Sequence, residues 1–118
     1  MRIIAHRANL NGPDTKGENS LEAIDKCFDL GFEVELDIWL VEKKLILSHH
    51  FPQSDEAFAC DDLLANPQVW WQAKNVEAFL HLQGQVNHLF WHQNDDFALT
   101  TSGFLWTYPG QKLTEKSI

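Results

Sequence analysis

The order of strand-like and helix-like segments along this chain of 118 residues predicts an α/β fold with a parallel sheet. Residues 33–41 alternate apolar and polar side chains, as a β-strand does, and residues 21–30 carry apolar side chains at helical spacing. These two patterns then recur in turn along the chain. About four βα units fit this length, and we expect them to form one domain over residues 1–118.

The first strand and helix are predicted from the signals at their ends. Arg2–His6 is a short apolar run that ends in polar groups, and a loop rich in Asn, Gly, Pro and Asp follows it. Asn19 is predicted to be the helix N-cap, with Glu22 three residues later completing a capping box. Gly31 is placed to end the helix. Its apolar face comprises Leu21, Ile24, Cys27, Phe28 and Leu30.

The second strand and its return strand place polar residues on one face of the predicted sheet. In the strand Glu33–Val41, Glu35 and Asp37 share a face because side chains alternate along a strand. A polar turn then leads into a return strand over Leu45–His49. To within one residue of register, this hairpin brings His49 opposite Asp37.

The elements of the second half are predicted from local apolar runs, caps and turn residues. In chain order they are a loop over Phe51–Phe58, a short helix over Asp61–Asn66, a strand over Val69–Ala73, a helix over Asn75–Leu82, a strand over His88–His92, and a hairpin of Phe97–Leu99 with Phe104–Tyr108.

The composition argues against several classes of partner. A formal net charge of −8, with 44% hydrophobic and 22% charged residues, is typical of a globular domain and argues against nucleic acid and polybasic membrane contacts. A small anionic substrate remains compatible, because a local field can oppose the global sign. No signal peptide or transmembrane run is visible, and we expect two free thiols, Cys27 and Cys60, in a reducing, cytoplasmic compartment.

Groups capable of chemistry are concentrated in residues 1–50. His6 and His49 supply two imidazoles, Arg7 a guanidinium, and Glu35 and Asp37 a pair of carboxylates. Such groups can move a proton, hold a phosphate and ligate a metal ion. Because parallel βα folds build their sites at the carboxyl ends of the strands, we expect these side chains to meet there.

Four short motifs resemble the glycerophosphodiester phosphodiesterase family. They are His6-Arg7-Ala8, Glu18-Asn19-Ser20, Glu35-Leu36-Asp37 and His49-His50, in the family's order and with a helix after Asn19. The resemblance implies the N-terminal half of a TIM (β/α)8 barrel of the phosphatidylinositol-phosphodiesterase-like type. Because such barrels need about 200–250 residues, we expect one of three outcomes. The barrel is incomplete, it is completed by a homodimer through exposed sheet edges, or the chain has reorganised into a smaller fold.

The resemblance also implies the roles of particular side chains. His6 and His49 would be general acid and base, Glu35 and Asp37 would ligate a divalent cation (Mg²⁺ or Ca²⁺), Arg7 and Lys74 would hold the phosphate, and Glu18 would support the site. Gln72 stands where the family has a third metal carboxylate. An amide oxygen can ligate these cations but brings no charge. Asp95 or Asp96 is an alternative source of the third carboxylate.

The function implied by this resemblance is metal-dependent hydrolysis of a phosphodiester, with a glycerophosphodiester of lipid metabolism as the expected substrate. Two alternatives stay open. In the first, the chain is a non-catalytic remnant or fragment that binds a metal or a phosphorylated ligand, which Gln72 and the short length favour. In the second, it is an oligomerising half-barrel in which the motifs are idle.

Overall fold

A computed structural model describes residues 2–12, 17–53, 57–91 and 97–107 of the chain. Its elements in chain order are β1 (Ile4–His6), α1 (Leu21–Asp29), β2 (Glu33–Val41), β3 (Lys44–Leu47), β4 (Ala57–Phe58), α2 (Asp61–Leu64), β5 (Val69–Ala73), α3 (Val76–Leu82), β6 (His88–Trp91), β7 (Phe97–Leu99) and β8 (Leu105–Thr107). In this described part of the chain, no helix is long and apolar enough to cross a membrane.

The central strand of the molecule is β2, which pairs with three other strands of a six-stranded sheet. β1 runs parallel to the first residues of β2, with His6 opposite Glu35. β3 runs antiparallel to its last residues, and β4 extends the sheet beyond β3. β5 pairs in parallel along the other edge, with Gln72 opposite Asp37, and β6 follows β5 in parallel. The carboxyl ends of β1 and β5 therefore both meet the middle of β2.

The predicted N-terminal half of a TIM barrel, whether incomplete or completed by oligomerisation, is wrong. The molecule is a small domain dominated by a mixed six-stranded sheet with three short helices, and its βα units do not alternate regularly. The cause lies after β2, where Glu42 and Lys43 have φ values of +51° and +66° and turn the chain back as antiparallel β3. The connection to β5 then consists of two strands and a helix of only four residues.

The two faces of the sheet differ in chemistry. On one face Val34, Leu36 and Ile38 of β2 are fully buried in the hydrophobic core, against which α1 and α3 pack. Because side chains alternate along a strand, Glu35 and Asp37 project to the other face. The helices therefore cover the apolar face and leave the polar face to the loops that follow the strands.

Ser20 caps α1, so the prediction of Asn19 as the N-cap is wrong. Ser20 has an extended backbone, and its hydroxyl accepts a hydrogen bond from the backbone nitrogen of Ala23 at 3.2 Å. Asn19 has a φ of +57°, which differs from the extended conformation of a cap. Gly31, with a φ of +79°, follows the end of the helix as predicted.

The hairpin of β2 and β3 has a register one residue away from the predicted pairing. The register places Ile38 opposite Leu47, and the backbone nitrogen of Ser48 donates to the carbonyl oxygen of Asp37 at 3.2 Å. Ser48 therefore lies opposite Asp37, and His49 follows one residue later. The return strand also ends earlier than predicted, at Leu47.

The other boundaries agree with the sequence to different degrees. The ranges of β2 and β5 and the pairing of β7 with β8 are confirmed, and α3 begins after the cap residue Asn75. The predicted loop over residues 51–58 is wrong at Ala57–Phe58, which form β4, and the helix predicted over residues 61–66 is the shorter α2. The predicted ends at His92 and Tyr108 lie outside the described residues.

An aromatic cluster on the site face of the sheet holds the β7–β8 hairpin. Phe104 packs edge-on against Trp70 with 5.6 Å between ring centroids, and His88 stacks on Trp70 at 3.7 Å. His88 Nδ1 lies 2.6 Å from the Ser102 hydroxyl in the loop between the two strands. Burial and the positive charge of Arg2 lower the pKa of His88 below its ordinary value.

We expect folding stability to fall as the pH decreases from about 6.5, the ordinary histidine pKa, through the lowered pKa of His88. The unfolded chain takes up the proton at higher pH than the folded chain, so acidification favours unfolding. His88→Phe keeps the stack on Trp70 and removes this titration. Urea unfolding between about pH 7.5 and pH 5 should therefore show a shallower loss of stability in the variant.

The exposed His81 lies outside the aromatic cluster, and His81→Phe provides the matched substitution control. Equal pH dependence in the wild type and His88→Phe would contradict the assignment.

Candidate functional site

Glu35 and Asp37 are fully buried, at 0% exposure each. A buried carboxylate needs hydrogen-bond donors, because an unpaired charge is strongly unfavourable in the protein interior. Burial and the negative charge of Asp37 raise the pKa of Glu35 well above its ordinary range, while the backbone N–H of Arg7 opposes this rise. The site is therefore built around two close carboxyl groups that require compensation.

Arg7 compensates both carboxyl groups. It follows β1 with a φ of +54°, and its backbone nitrogen donates to Glu35 Oε2 at 3.0 Å. Its guanidinium lies among three partners. Nη1 donates to Glu18 Oε2 at 3.3 Å, Nε is 3.4 Å from Asp37 Oδ2, and Nη2 donates to His49 Nε2 at 3.1 Å. Glu18 thereby pairs with a guanidinium nitrogen different from the one beside Asp37.

The contact with Arg7 defines the protonation of His49. A guanidinium can only donate, so Nε2 of His49 accepts and the ring proton resides on Nδ1. Nδ1 lies 3.4 Å from Asp37 Oδ2. Burial lowers the pKa of His49, with Asp37 opposing the shift and Lys74 and Arg7 adding to it. His49 is therefore a neutral imidazole that accepts from Arg7 at Nε2, while its buried Nδ1 lies beside Asp37 without a hydrogen bond.

The chain segment that carries His49 is itself fastened to β2. Trp39 Nε1 donates to the carbonyl oxygen of Ser48 at 3.0 Å, and the Trp39 ring meets Phe51 edge-on at 5.4 Å. Trp39 thus holds both ends of the segment in which His49 lies, on the same sheet face as Asp37.

His6 is the accessible member of the site. Its side chain is 65% exposed, and its Nε2 lies 3.7 Å from Glu35 Oε2. Partial burial and the charge of Arg7 lower the pKa of His6, while Asp37 and Glu18 oppose the shift. At neutral pH this imidazole is therefore uncharged and open to a ligand.

Gln72 and Lys74 reach the site from β5. The Gln72 amide is assigned from its surroundings with the nitrogen toward the two carboxyl groups, where it donates to Glu35 Oε1 and to Asp37 Oδ1 at 3.1 Å each. While both carboxyl groups are ionised, the opposite orientation would set the amide oxygen against two carboxylate oxygens with no hydrogen between them. Lys74 follows β5, and its positive charge helps to lower the pKa of both site histidines. β5 and the residue after it therefore contribute one neutral group, the Gln72 amide, and one cationic group, the Lys74 ammonium.

Asn19 is a site residue whose position sequence reasoning misjudged. Its Oδ1 accepts from the backbone nitrogen of Asp37 at 2.9 Å, and its Nδ2 donates to Asp37 Oδ2 at 3.1 Å. Its own backbone nitrogen donates to the Arg7 carbonyl at 2.8 Å. Asn19 therefore ties the loop after β1 to β2. The position of Asn19 next to Glu18 in one motif was the available signal for a site residue. The start of a helix immediately after it favoured the N-cap prediction instead.

The structure brings the predicted site residues together. Those in a continuous series of contacts are His6, Arg7, Glu18, Glu35, Asp37, His49 and Gln72. Lys74 acts on them through its charge. Asp95 and Asp96 lie outside the described residues.

The donor set around the carboxylates is made of hard oxygens. No group of three or more His, Cys, Asp and Glu side chains in the described ranges has an arrangement that could hold a metal ion. Glu35 Oε1 and Asp37 Oδ1 nevertheless converge on one point, since both lie 3.1 Å from the same amide nitrogen of Gln72. Two carboxylate oxygens beside a carboxamide are ligands that suit Mg²⁺ or Ca²⁺. The chemistry of these residues therefore fits a divalent cation.

A cavity of about 480 Å³ lies between the loop after β1 and the start of α1. Its lining includes Ala8 and Ser20, but none of the site side chains described above. The cavity and the charged cluster are therefore adjacent but separate features. The charges and hydrogen bonds that could carry chemistry belong to the cluster.

In comparisons with known proteins, no family model matches the chain, and no curated protein or solved structure is significantly similar to it.

We expect Asn19→Gly to lower the free energy of unfolding by about 3 kcal/mol, because it removes two hydrogen bonds to Asp37, one of them to a charged oxygen. Glycine adopts the positive φ at this position freely. Asn19→Ala should lose about 1 kcal/mol more, since a Cβ is strained in the left-handed region.

Urea denaturation measures both changes, with the exposed Asn87→Gly as the control. Equal stability of Asn19→Gly and Asn19→Ala would contradict the expected backbone strain at position 19. Stability of Asn19→Gly equal to that of the control would contradict a stabilising role for its hydrogen bonds to Asp37.

Proposed function

We propose that this protein is a metal-dependent phosphodiester hydrolase that uses His6 and His49 as acid and base. The observation that carries the proposal is the convergence of both imidazoles, the Arg7 guanidinium and the carboxylates of Glu35 and Asp37 in one connected cluster. A glycerophosphodiester is the expected substrate, because the four motifs that supply these residues resemble the family that acts on such compounds.

The charges of the cluster support a cation together with an anionic ligand. Three carboxylates, Glu18, Glu35 and Asp37, face two permanent cations, Arg7 and Lys74. With all three ionised, the cluster carries one net negative charge. A divalent cation would leave one positive charge, which complements the single negative charge of a phosphodiester. Burial and then the negative charge of Asp37 raise the pKa of Glu35, and a cation between the two carboxyl groups would oppose this rise.

Glu35, Asp37 and Gln72 are the residues that would hold the cation. When bound there, a divalent cation supplies neutralisation of the charge that develops on a phosphate oxygen. The buried position of both carboxylates favours this use, because electrostatic interactions are stronger away from water.

Arg7 and Lys74 would bind the phosphate. A guanidinium has five N–H groups, and the three contacts of the Arg7 side chain leave hydrogens for an anionic oxygen. Glu18 holds the guanidinium in place. Arg7 and the cation ligands share Asp37, so the phosphate would lie beside both positive groups.

The two histidines would divide the proton transfers. Asp37 lies beside Nδ1 of His49 without a hydrogen bond, and Nε2 is the atom that would exchange a proton. Arg7 donates to Nε2 in the structure, and movement of the guanidinium toward a phosphate would free its lone pair. His6 is exposed on the Glu35 side of the cluster and would take the complementary task. The imidazole that acts as acid would first take up from solvent the proton that it passes to the leaving alkoxide. A positioned acid or base typically contributes about 10²–10⁴ in rate.

The second candidate function is binding of a phosphorylated ligand without turnover. The Gln72 amide favours it, since a neutral group stands between the two carboxylates. In that case the protein would bind a phosphodiester and a cation while releasing no product.

We expect cation-dependent hydrolysis of glycerophosphocholine or of an aryl phosphodiester, abolished by a chelator and reduced by about 10²-fold or more in His49→Ala. The assay measures product release with Mg²⁺ or Ca²⁺ and with chelator. His81→Ala on α3 is the matched control. Turnover that survives the chelator would exclude the metal-dependent reaction, and ligand binding without product would select the second candidate.

We also expect Arg7→Lys to lower kcat/KM by about 10²-fold, because an ammonium cannot make the separate contacts to Glu18, His49 and a phosphate oxygen. Arg2→Lys, at a partly exposed arginine that pairs with Glu33, is the matched control and should retain full activity. Steady-state kinetics compares the two. Equal kcat/KM for both variants would remove Arg7 from the proposed phosphate site.

A further inference from the structure

Gln72 is the uncharged group between the two buried carboxylates. Glu35 Oε2 already has the Arg7 backbone N–H as a donor, and Asp37 Oδ2 has Asn19 Nδ2. The remaining oxygens, Glu35 Oε1 and Asp37 Oδ1, both accept from the Gln72 amide nitrogen at 3.1 Å. Gln72 thus satisfies the two oxygens that converge on one point.

A carboxamide has two faces of nearly equal shape and opposite polarity. Its nitrogen carries two hydrogens, and its oxygen carries two lone pairs. Half a turn about the last side-chain bond exchanges them with little change in volume. With the oxygen facing inward, Gln72, Glu35 and Asp37 would present three oxygens to the same point. That arrangement repels itself when empty of positive charge and favours a hard cation.

We propose that the Gln72 carboxamide is a reversible stand-in for the cation, with its nitrogen facing the carboxylates when no cation is bound and its oxygen facing them as the third ligand when one is bound. This inference rests on the proposed cation site. It explains how two fully buried carboxylates are tolerated in the cation-free protein, because each has a donor in that state.

The choice of a carboxamide over a carboxylate at position 72 also affects regulation of the site. A third carboxylate at position 72 would bind a cation more strongly, but it would leave three negative groups without a common donor when the cation dissociates. The carboxamide lacks the negative charge of a third carboxylate, and its nitrogen stabilises the cation-free state by donating to the other two. The site should therefore bind its cation weakly and reversibly, so that occupancy follows the cation concentration.

The first test follows the Gln72 side-chain NH2 group by ¹⁵N NMR during titration with Mg²⁺ and with Ca²⁺. Its signal is assigned by its loss in Gln72→Glu. Without cation, the two hydrogens should exchange slowly with water because both are bonded to carboxylates. With cation, the signal should shift and its exchange should accelerate, while the exposed Gln85 amide, bonded to the His81 carbonyl, serves as the control.

Calorimetry on the same samples separates the possible outcomes. Cation binding with an unchanged Gln72 signal would overturn this inference and leave the proposed function standing. Absence of binding up to about 10 mM cation, well above the usual affinities of protein sites, would overturn both.

A pair of substitutions provides a second readout. Gln72→Glu should bind the cation at least about tenfold more tightly, because ligand charge strongly tunes affinity. Gln72→Leu, which has neither donor nor ligand oxygen, should bind it at least about tenfold more weakly than the wild type. Tighter cation binding in Gln72→Leu would mean that the amide only blocks the cation. It would contradict the assignment of the Gln72 oxygen as the third ligand.

Discussion

Burial of two carboxylates on one strand is the constraint on which the rest of the site depends. Glu35 and Asp37 have no exposure to water, so their oxygens must find donors within the protein. Arg7, Asn19 and Gln72 are held in place by this requirement, since each donates to one or both carboxyl groups.

The same requirement explains the backbone around the site. Arg7, Ala8 and Asn19 have φ values of +54°, +60° and +57°, a region that costs roughly 1–2 kcal/mol for a residue with a Cβ. Arg7 in this conformation aims its backbone nitrogen at Glu35, and Asn19 aims its carboxamide at Asp37. Local strain is offset by hydrogen bonds to buried charge, a pattern that clusters at functional sites.

The candidate site was more predictable than the fold. Alternation along β2 was sufficient to put Glu35 and Asp37 on one face, and the ends of β1 and β5 were sufficient to bring His6 and Gln72 to them. The half-barrel was wrong because regular βα alternation was assumed beyond the predicted hairpin of β2 and β3. In the structure β3 and the unpredicted β4 both extend the sheet in antiparallel pairing. Glu42 and Lys43 form the turn between β2 and β3 with positive φ.

Local patterns of the chain were sufficient to predict the residues of the candidate site and the face of β2 that carries Glu35 and Asp37, because alternation and strand ends are local properties. The pairing of each donor with its oxygen depends on the tertiary structure. Asn19 proved to hold Asp37 and Ser20 to cap α1, and Gln72 proved to bridge two carboxylates. These assignments depend on distances between segments far apart in the chain. Such distances are set when the sheet and its loops pack together, and no local pattern encodes them.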